Sequence, residues 1–312
     1  MEIQKPIFII GVPRTGTTLL YNILCMHQDL AWFSIENFSS WVNEDEKELM
    51  KNHFLEIKNN NKIPVTEESI FVFGADWKPG IIQTRVHPDL KKTPIEGEYF
   101  WRKQFGDKYT RNISDEKKRE IILELKNVIK EQQKSRFLSK APQNTMRLFA
   151  IQEIFPDAKF VNVVRDPRPV VSSMLERVKK EGTWDPGIEI LDKERSKKLD
   201  LIGQFAWRYK EITDEIYKFA KENKRNFITI KYEDLISKSE EIIIKVLKFC
   251  ELDMPKNFHK MIPEIREHKE SFKNNLTSKQ QKMIFRLVEK SMKRMNYSYK
   301  QDLRFWFIRK FM

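Results

Sequence analysis

The chain has 312 residues, enough for one sizeable core, and its two cysteines, Cys25 and Cys250, are too few for a disulfide framework or a cysteine-rich metal site, which points to a reducing compartment. The 58 Lys and Arg against 45 Asp and Glu give a formal net charge of +13, which suits an anionic ligand; the cations are spread along many helices instead of gathered with aromatics, so nucleic acid is not the expected partner. No run of 18 apolar residues occurs, and the first strand begins with no basic, apolar leader ahead of it, so a single cytoplasmic domain over 1–312 with no transmembrane segment is expected.

In chain order, the apolar run Pro6 to Ile10 is followed by Gly11-Val12-Pro13-Arg14-Thr15-Gly16-Thr17-Thr18 and then by a helix-like stretch from Leu19. A strand, a phosphate-sized loop and a helix in that order form an anion cradle, because the curled backbone and the helix N-terminus both aim N–H groups at one place. A nucleoside triphosphate loop would carry Lys before its final Ser or Thr, whereas Thr17 stands there and the cation, Arg14, lies inside the loop.

Further continuous apolar runs near Phe71–Phe73, at Phe160–Val164 and at Phe227–Tyr232 predict strands of a parallel sheet buried on both faces. Residues 75–106 are rich in Pro, Gly, aromatic and charged residues with neither strand nor helix period, and are read as an irregular insertion that shapes a substrate pocket. Helices are predicted from Ser114, with Ile121, Leu125, Val128 and Ile129 on one face, from Arg195 to Lys221, from Glu240 to Cys250 with Ile243, Ile244 and Leu247 inward, and after Ser278. The aromatic and basic tail Leu303 to Phe311 suits either contact with a membrane surface or docking on the core, and docking is the favoured reading. The alternation predicts an α/β fold, a P-loop-like parallel sheet flanked by helices with ligands at the carboxyl ends of the strands.

A second anion site is expected where Phe160–Val164 runs into Arg165-Asp166-Pro167-Arg168 and a helix bearing Ser172 and Ser173. The Arg165 fork and a serine hydroxyl can share one phosphate; an internal salt bridge stiffening the turn is the alternative. With the first loop, Lys140-Ala141-Pro142, Phe155-Pro156-Asp157-Ala158-Lys159-Phe160, and Ile230-Lys231-Tyr232-Glu233-Asp234-Leu235, the chain resembles the sulfotransferase superfamily, whose members move a sulfonate from 3′-phosphoadenosine 5′-phosphosulfate (PAPS) to a hydroxyl or amine. The resemblance covers about two thirds of the chain.

The resemblance implies that Arg14, Thr15, Gly16, Thr17 and Thr18 hold the 5′-phosphosulfate, that Arg165 and Ser173 hold the 3′-phosphate, and that Tyr232 contacts the adenine. Lys140, after Phe137-Leu138-Ser139, matches a lysine near the transferring sulfonate. The small-molecule branch has a histidine two residues after that lysine, where this chain has Pro142, so the pattern is nearer the tyrosylprotein, carbohydrate and bacterial branch and makes Glu36 the matching base. Glu96, Glu98 and His87 are the other candidates. The small-molecule branch's Gly-rich basic loop over the 3′-phosphate is missing, and Lys269, Lys273 and Lys279 are its possible substitutes. No metal is expected. The acceptor stays open among small molecules, carbohydrates, lipids and peptides, as does the oligomeric state. The rival readings are a nucleotide-dependent phosphotransferase, opposed by Thr17, and a non-catalytic polyanion-binding protein, suggested by the charge.

Overall fold

The computed structural model describes residues 2–38, 94–106, 108–182, 187–255 and 272–297. The strand expected near Phe71–Phe73, His87, Lys269 and the tail from Leu303 lie outside them.

Five strands form one parallel sheet in the order β2-β3-β1-β4-β5: β1 (Ile7–Ile10), β2 (Leu30–Ala31), β3 (Arg136–Lys140), β4 (Lys159–Val164) and β5 (Phe227–Lys231). The apolar runs at β1, β4 and β5 are strands as expected; β2 and β3 add two that the hydropathy did not single out, β2 because it is two residues long and β3 because Arg136, Ser139 and Lys140 interrupt it. Both faces of the sheet are covered. Phe8, Ile10, Phe137 and Phe160 enter one core, and Ile7, Ile9, Leu138 and Val161 enter the other, which is why β1 reads as an unbroken apolar run.

The second core is closed by α1 (Thr17–Leu24) and by the helix Ser239–Cys250. In that helix Ile242 and Ile243 are buried while Ile244 is 38% exposed, so the expected inward face is turned by one residue. The first core is closed by several helices. The helix Asp115–Glu131 starts where predicted, its Ser114 side chain accepting from Lys117 N, and it buries Ile121, Leu125, Val128 and Ile129. The predicted Arg195–Lys221 helix is two: Lys193–Lys197, then Leu201–Glu222. Asp200 divides them, because its carboxylate accepts from Gly203 N at 2.8 Å and starts a new helix there. The last helix, Ser278–Arg294, opens on a capping box between Thr277 and Gln280.

The expectation of an irregular 75–106 is corrected within its described part, since Glu98–Phe105 is an α-helix. It buries Phe100 and Trp101, which pack with Phe33 at ring-centroid distances of 4.7 and 6.3 Å, and mixed aromatic and charged residues hid this short amphipathic turn from the periodicity.

Phe219 is the hub of the aromatic core, edge-on to Phe149 at 5.2 Å and to Phe160 at 4.7 Å. Phe219→Ala is expected to destabilise the fold by about 3–5 kcal/mol, read as a lower midpoint in urea denaturation.

Candidate active site

The register places the carboxyl ends of β3, β1, β4 and β5 in one line: Ile9 pairs with Lys140, Ile10 with Asn162, and Val164 with Lys231. The next residues along each strand are therefore neighbours, and they carry nearly every residue singled out from the sequence. In an open parallel sheet this is the edge where ligands bind.

The loop after β1 is tightly built. Gly11 has φ +151°, and a Cβ there would lie 2.5 Å from Val163 O, so the close approach to β4 needs glycine. Thr15 is buried and its hydroxyl donates to Val12 O at 2.8 Å. Arg14 sits at φ +74°, a left-handed conformation rare outside glycine. That geometry sends its guanidinium across the sheet, where Nε donates to Ser173 Oγ at 2.9 Å. Gly16, in the left-handed region, caps α1 at its N-terminus.

The turn after β4 meets this loop. Arg165 Nη1 donates to Arg14 O at 3.3 Å, and its guanidinium carbon lies 4.1 Å from the centre of the Tyr232 ring. The same ring covers Gly16 so closely that a Cβ there would fall 2.3 Å from Tyr232 Cδ2. Arg14, Gly16, Arg165, Ser173 and Tyr232, spread over 219 positions of sequence, are thus brought into mutual contact. The salt-bridge alternative for the turn takes another form. Asp166 pairs with Arg168, not Arg165, and caps the helix Pro167–Glu181 by accepting from Arg168 N at 2.8 Å, which leaves the Arg165 fork to Tyr232 and the loop.

On the other side of the loop, Lys140 is 4% exposed and donates from Nζ to Thr18 Oγ1 at 3.1 Å. Thr18 Oγ1 donates in turn to Glu96 Oε1 at 2.9 Å, and Glu96 closes the triangle by an ion pair with Lys140. Glu98 lies beside it, bonded to Gln143; burial pushes its carboxyl above the usual range, and the charge of Glu96 adds to this. Glu36 is solvent-exposed on the single-turn helix Ile35–Phe38, immediately after Ser34, which bridges Pro94. Among the substitutes for the missing basic loop, Lys273 lies on the short helix Phe272–Asn275, whose Asn275 donates to Ser172 Oγ at 3.2 Å beside the serine pair, while Lys279 is exposed in the first turn of the last helix.

Sequence reasoning passed over the support of the Arg165 turn. Tyr209 OH donates to Arg165 O at 2.7 Å, and Asp166 N donates to Glu233 Oε1 at 3.1 Å. Glu233 also accepts from Tyr297 OH at 2.5 Å. Its own type and place, one residue after Tyr232 at a strand end, gave no sign of burial.

Burial raises the Glu233 carboxyl above its ordinary range, with the Tyr297 hydroxyl and Asp166 N–H offsetting part of the effect. A carboxyl raised by folding favours the protonated form in the folded state, so its contribution to stability falls as pH rises from the unfolded value, about 4.3, through the folded one. Glu233→Gln keeps the shape without the charge. Urea midpoints measured from pH 4 to 8 should show the variant gaining on the parent as pH rises; a constant difference would mean that Glu233 does not titrate in this way.

A sequence model described as the sulfotransferase family matches residues 6–256. Over 281 residues the chain is 25% identical to the omega-hydroxy-beta-dihydromenaquinone-9 sulfotransferase Stf3 of Mycobacterium bovis, covering 85% of this chain and 66% of that protein. It is 28% identical over 120 residues to a putative protein-tyrosine sulfotransferase of Caenorhabditis elegans, 38% of this chain and 40% of that one. The chain thus spans just under two thirds of the length of the mycobacterial relative. Among solved structures, sulfotransferase STF9 of Mycobacterium avium superposes with a TM-score of 0.61 at 12% identity, covering 96% of this chain and 78% of that one. The match to the family over most of its length, joined to the strand–loop–helix cradle and the shared fold, shows that the chain belongs to the sulfotransferase family.

Proposed function

We propose that the protein transfers a sulfonate from PAPS to a hydroxyl or amine acceptor. The observation that carries this reading is the joining of two anion sites across one aromatic ring, with Arg14 reaching Ser173 and Arg165 stacked on Tyr232. Such a layout suits a ligand with two separated phosphate-like groups on a nucleoside. The absence of a Cβ at Gly16, which the Tyr232 ring would not tolerate, also fits a cradle in which backbone and base come close.

In this reading the N-terminus of α1, with Thr17 and Thr18, holds the 5′-phosphosulfate by backbone N–H groups and hydroxyls. Arg165 and Ser173 hold the 3′-phosphate, and Tyr232 the adenine edge of the site. The donor supplies an activated sulfonate on a stable leaving phosphate. Transfer of this kind needs in-line positioning and fixed positive charge on the leaving side more than covalent catalysis. Lys140 and Arg14 supply that charge. Lys140 is held in place by Thr18, so little reorganisation is needed as charge develops. A base must take the acceptor's proton; among the described residues Glu36, which follows the first helix, and Glu96, which touches Lys140 and has Glu98 beside it, are candidates. The two relatives are named for an omega-hydroxy menaquinone and for protein tyrosine, and for this chain the acceptor is proposed no more narrowly than a hydroxyl- or amine-bearing molecule. Among the described residues no helix is long and apolar enough to cross a membrane, and Cys25 and Cys250 are buried free thiols, which supports placing the protein in a reducing compartment such as the cytoplasm.

Adenosine 3′,5′-bisphosphate (PAP) should stabilise the fold in the absence of divalent metal. At a hundredfold excess over its dissociation constant the gain is about 2.7 kcal/mol, seen as a rise in Tm. A shift with ATP and magnesium and none with PAP would favour the phosphotransferase instead. The 3′-phosphate assignment has its own test: Arg165→Ala removes a charge-assisted contact of about 1.5–3 kcal/mol, so in calorimetry the variant's affinity for PAP should fall toward its affinity for AMP. Unchanged discrimination between the two nucleotides would remove Arg165 from that role.

A further inference from the structure

Residues 94–97 cross the carboxyl ends of β2 and β3 as a strap pinned at four points. Pro94 bridges Ser34, Ile95 N donates to Phe33 O at 2.7 Å, Tyr21 OH donates to Ile95 O at 2.9 Å, and Gly97 N donates to Lys140 O at 3.2 Å. Gly97 lies so close to the aromatic core that a Cβ would come within 2.6 Å of the Phe33 ring. The backbone on both sides of Glu96 is therefore fixed to α1, to the segment after β2 and to the end of β3. What the strap delivers is one carboxylate, placed on Lys140 Nζ and on Thr18 Oγ1.

On the sulfotransferase reading above, we propose that Glu96 is the general base of the transfer, and that its ion pair with Lys140 is a resting contact which the donor's own anionic groups replace. A deeply buried ammonium requires an anion beside it. Glu96 is that anion in the structure. Once a sulfonate and phosphate lie against Lys140 and the loop, they supply the negative charge, and Glu96 is released within reach of the seat of the reacting group. The acceptor oxygen–sulfur bond then forms as the bond from sulfur to the 5′-phosphate oxygen breaks. The electron pair of the broken bond stays on that phosphate, and the acceptor's proton passes to the Glu96 carboxylate.

Two further observations favour Glu96 over its neighbours. Pro142 leaves β3 itself without a titratable group after Lys140, and the Gly97–Lys140 backbone bond brings the strap alongside that position. Glu98, the other carboxyl on the strap, is pushed toward its neutral form by burial and by the charge of Glu96, and it is Glu96 that meets Lys140 and Thr18. Glu36, by contrast, is exposed on the one-turn helix Ile35–Phe38.

The test compares the parent with Glu96→Gln, Glu96→Asp and Glu36→Gln. PAP binding is measured by calorimetry, and release of PAP from PAPS is measured with an aliphatic alcohol or water as acceptor. Glu96→Gln is expected to lower kcat by about a hundred- to ten-thousandfold with little change in the KM for PAPS. It should bind PAP at least as tightly as the parent and show a larger PAP-induced rise in Tm, because the variant leaves Lys140 without its resting partner. Glu96→Asp should recover part of the rate. Turnover within threefold of the parent in Glu96→Gln, or a loss of PAP affinity in that variant, overturns the proposal; loss of turnover in Glu36→Gln alone moves the role to Glu36. If the parent itself binds no PAP, the sulfotransferase reading fails and the assignment of Glu96 fails with it, an outcome distinct from the others because it appears before any variant is made.

Discussion

The parallel pairing of β1 with β3 on one side and β4 on the other is the constraint from which the site follows. Because Ile9 is in register with Lys140 and Ile10 with Asn162, the loop after β1 necessarily emerges between the end of β3, with its lysine, and the turn after β4, with its arginine. A slip by one residue on either side would turn Lys140 into the core or Arg165 away from Tyr232, since successive side chains along a strand point to opposite faces. The buried alternation of Phe8 and Ile10 against Ile7 and Ile9 is what forbids that slip, so packing in the two cores fixes the chemistry at the sheet edge.

The two halves of the site are held by different forces. On the β4 side the Arg165 turn is fixed through its peptide groups: its carbonyl accepts from Tyr209, and the next N–H is taken by Glu233. The guanidinium is then placed by a ring stack and by a bond to Arg14 O, neither of which neutralises it. On the β3 side the cation is met by a charge, Glu96, and by a hydroxyl. Bonds to backbone and rings fix a guanidinium without an ion pair, whereas an ion pair can be exchanged for another anion.

Much of this was legible in the sequence where a single local pattern carried it. The tight loop from Gly11 to Thr18 showed itself through its glycines and its place between an apolar run and a helix, and the turn at Arg165 and the helix bearing Ser173 through a strand end and a helix start. The wide helix boundaries failed for local reasons too, as at Asp200, whose capping bond ends one helical pattern and starts another inside a continuous apolar stripe. What could not be read were relations between segments. The pairing of Glu96 with Lys140 depends on a strap whose backbone bonds run from Gly97 forward to Lys140 and from Ile95 back to Phe33, both distant in the chain. Nor could the burial of Glu233 be foreseen, because its partner Tyr297 arrives from 64 residues away.

That last contact gives the helix Ser278–Arg294 a role beyond closing the core. Thr213 Oγ1 and Ser291 Oγ meet at 2.9 Å between the helices Leu201–Glu222 and Ser278–Arg294, and Tyr297, just past the second helix, reaches Glu233 beneath the Arg165 turn. Burying a carboxyl there costs stability, as its raised protonation range shows. Its oxygens are matched one to one by the Asp166 N–H and the Tyr297 hydroxyl, so the same group that weakens the fold also ties the turn to a helix from the opposite end of the chain. The orientation of Arg165 is thereby set by three segments at once, and this side of the site can be rigid although it is built on a turn.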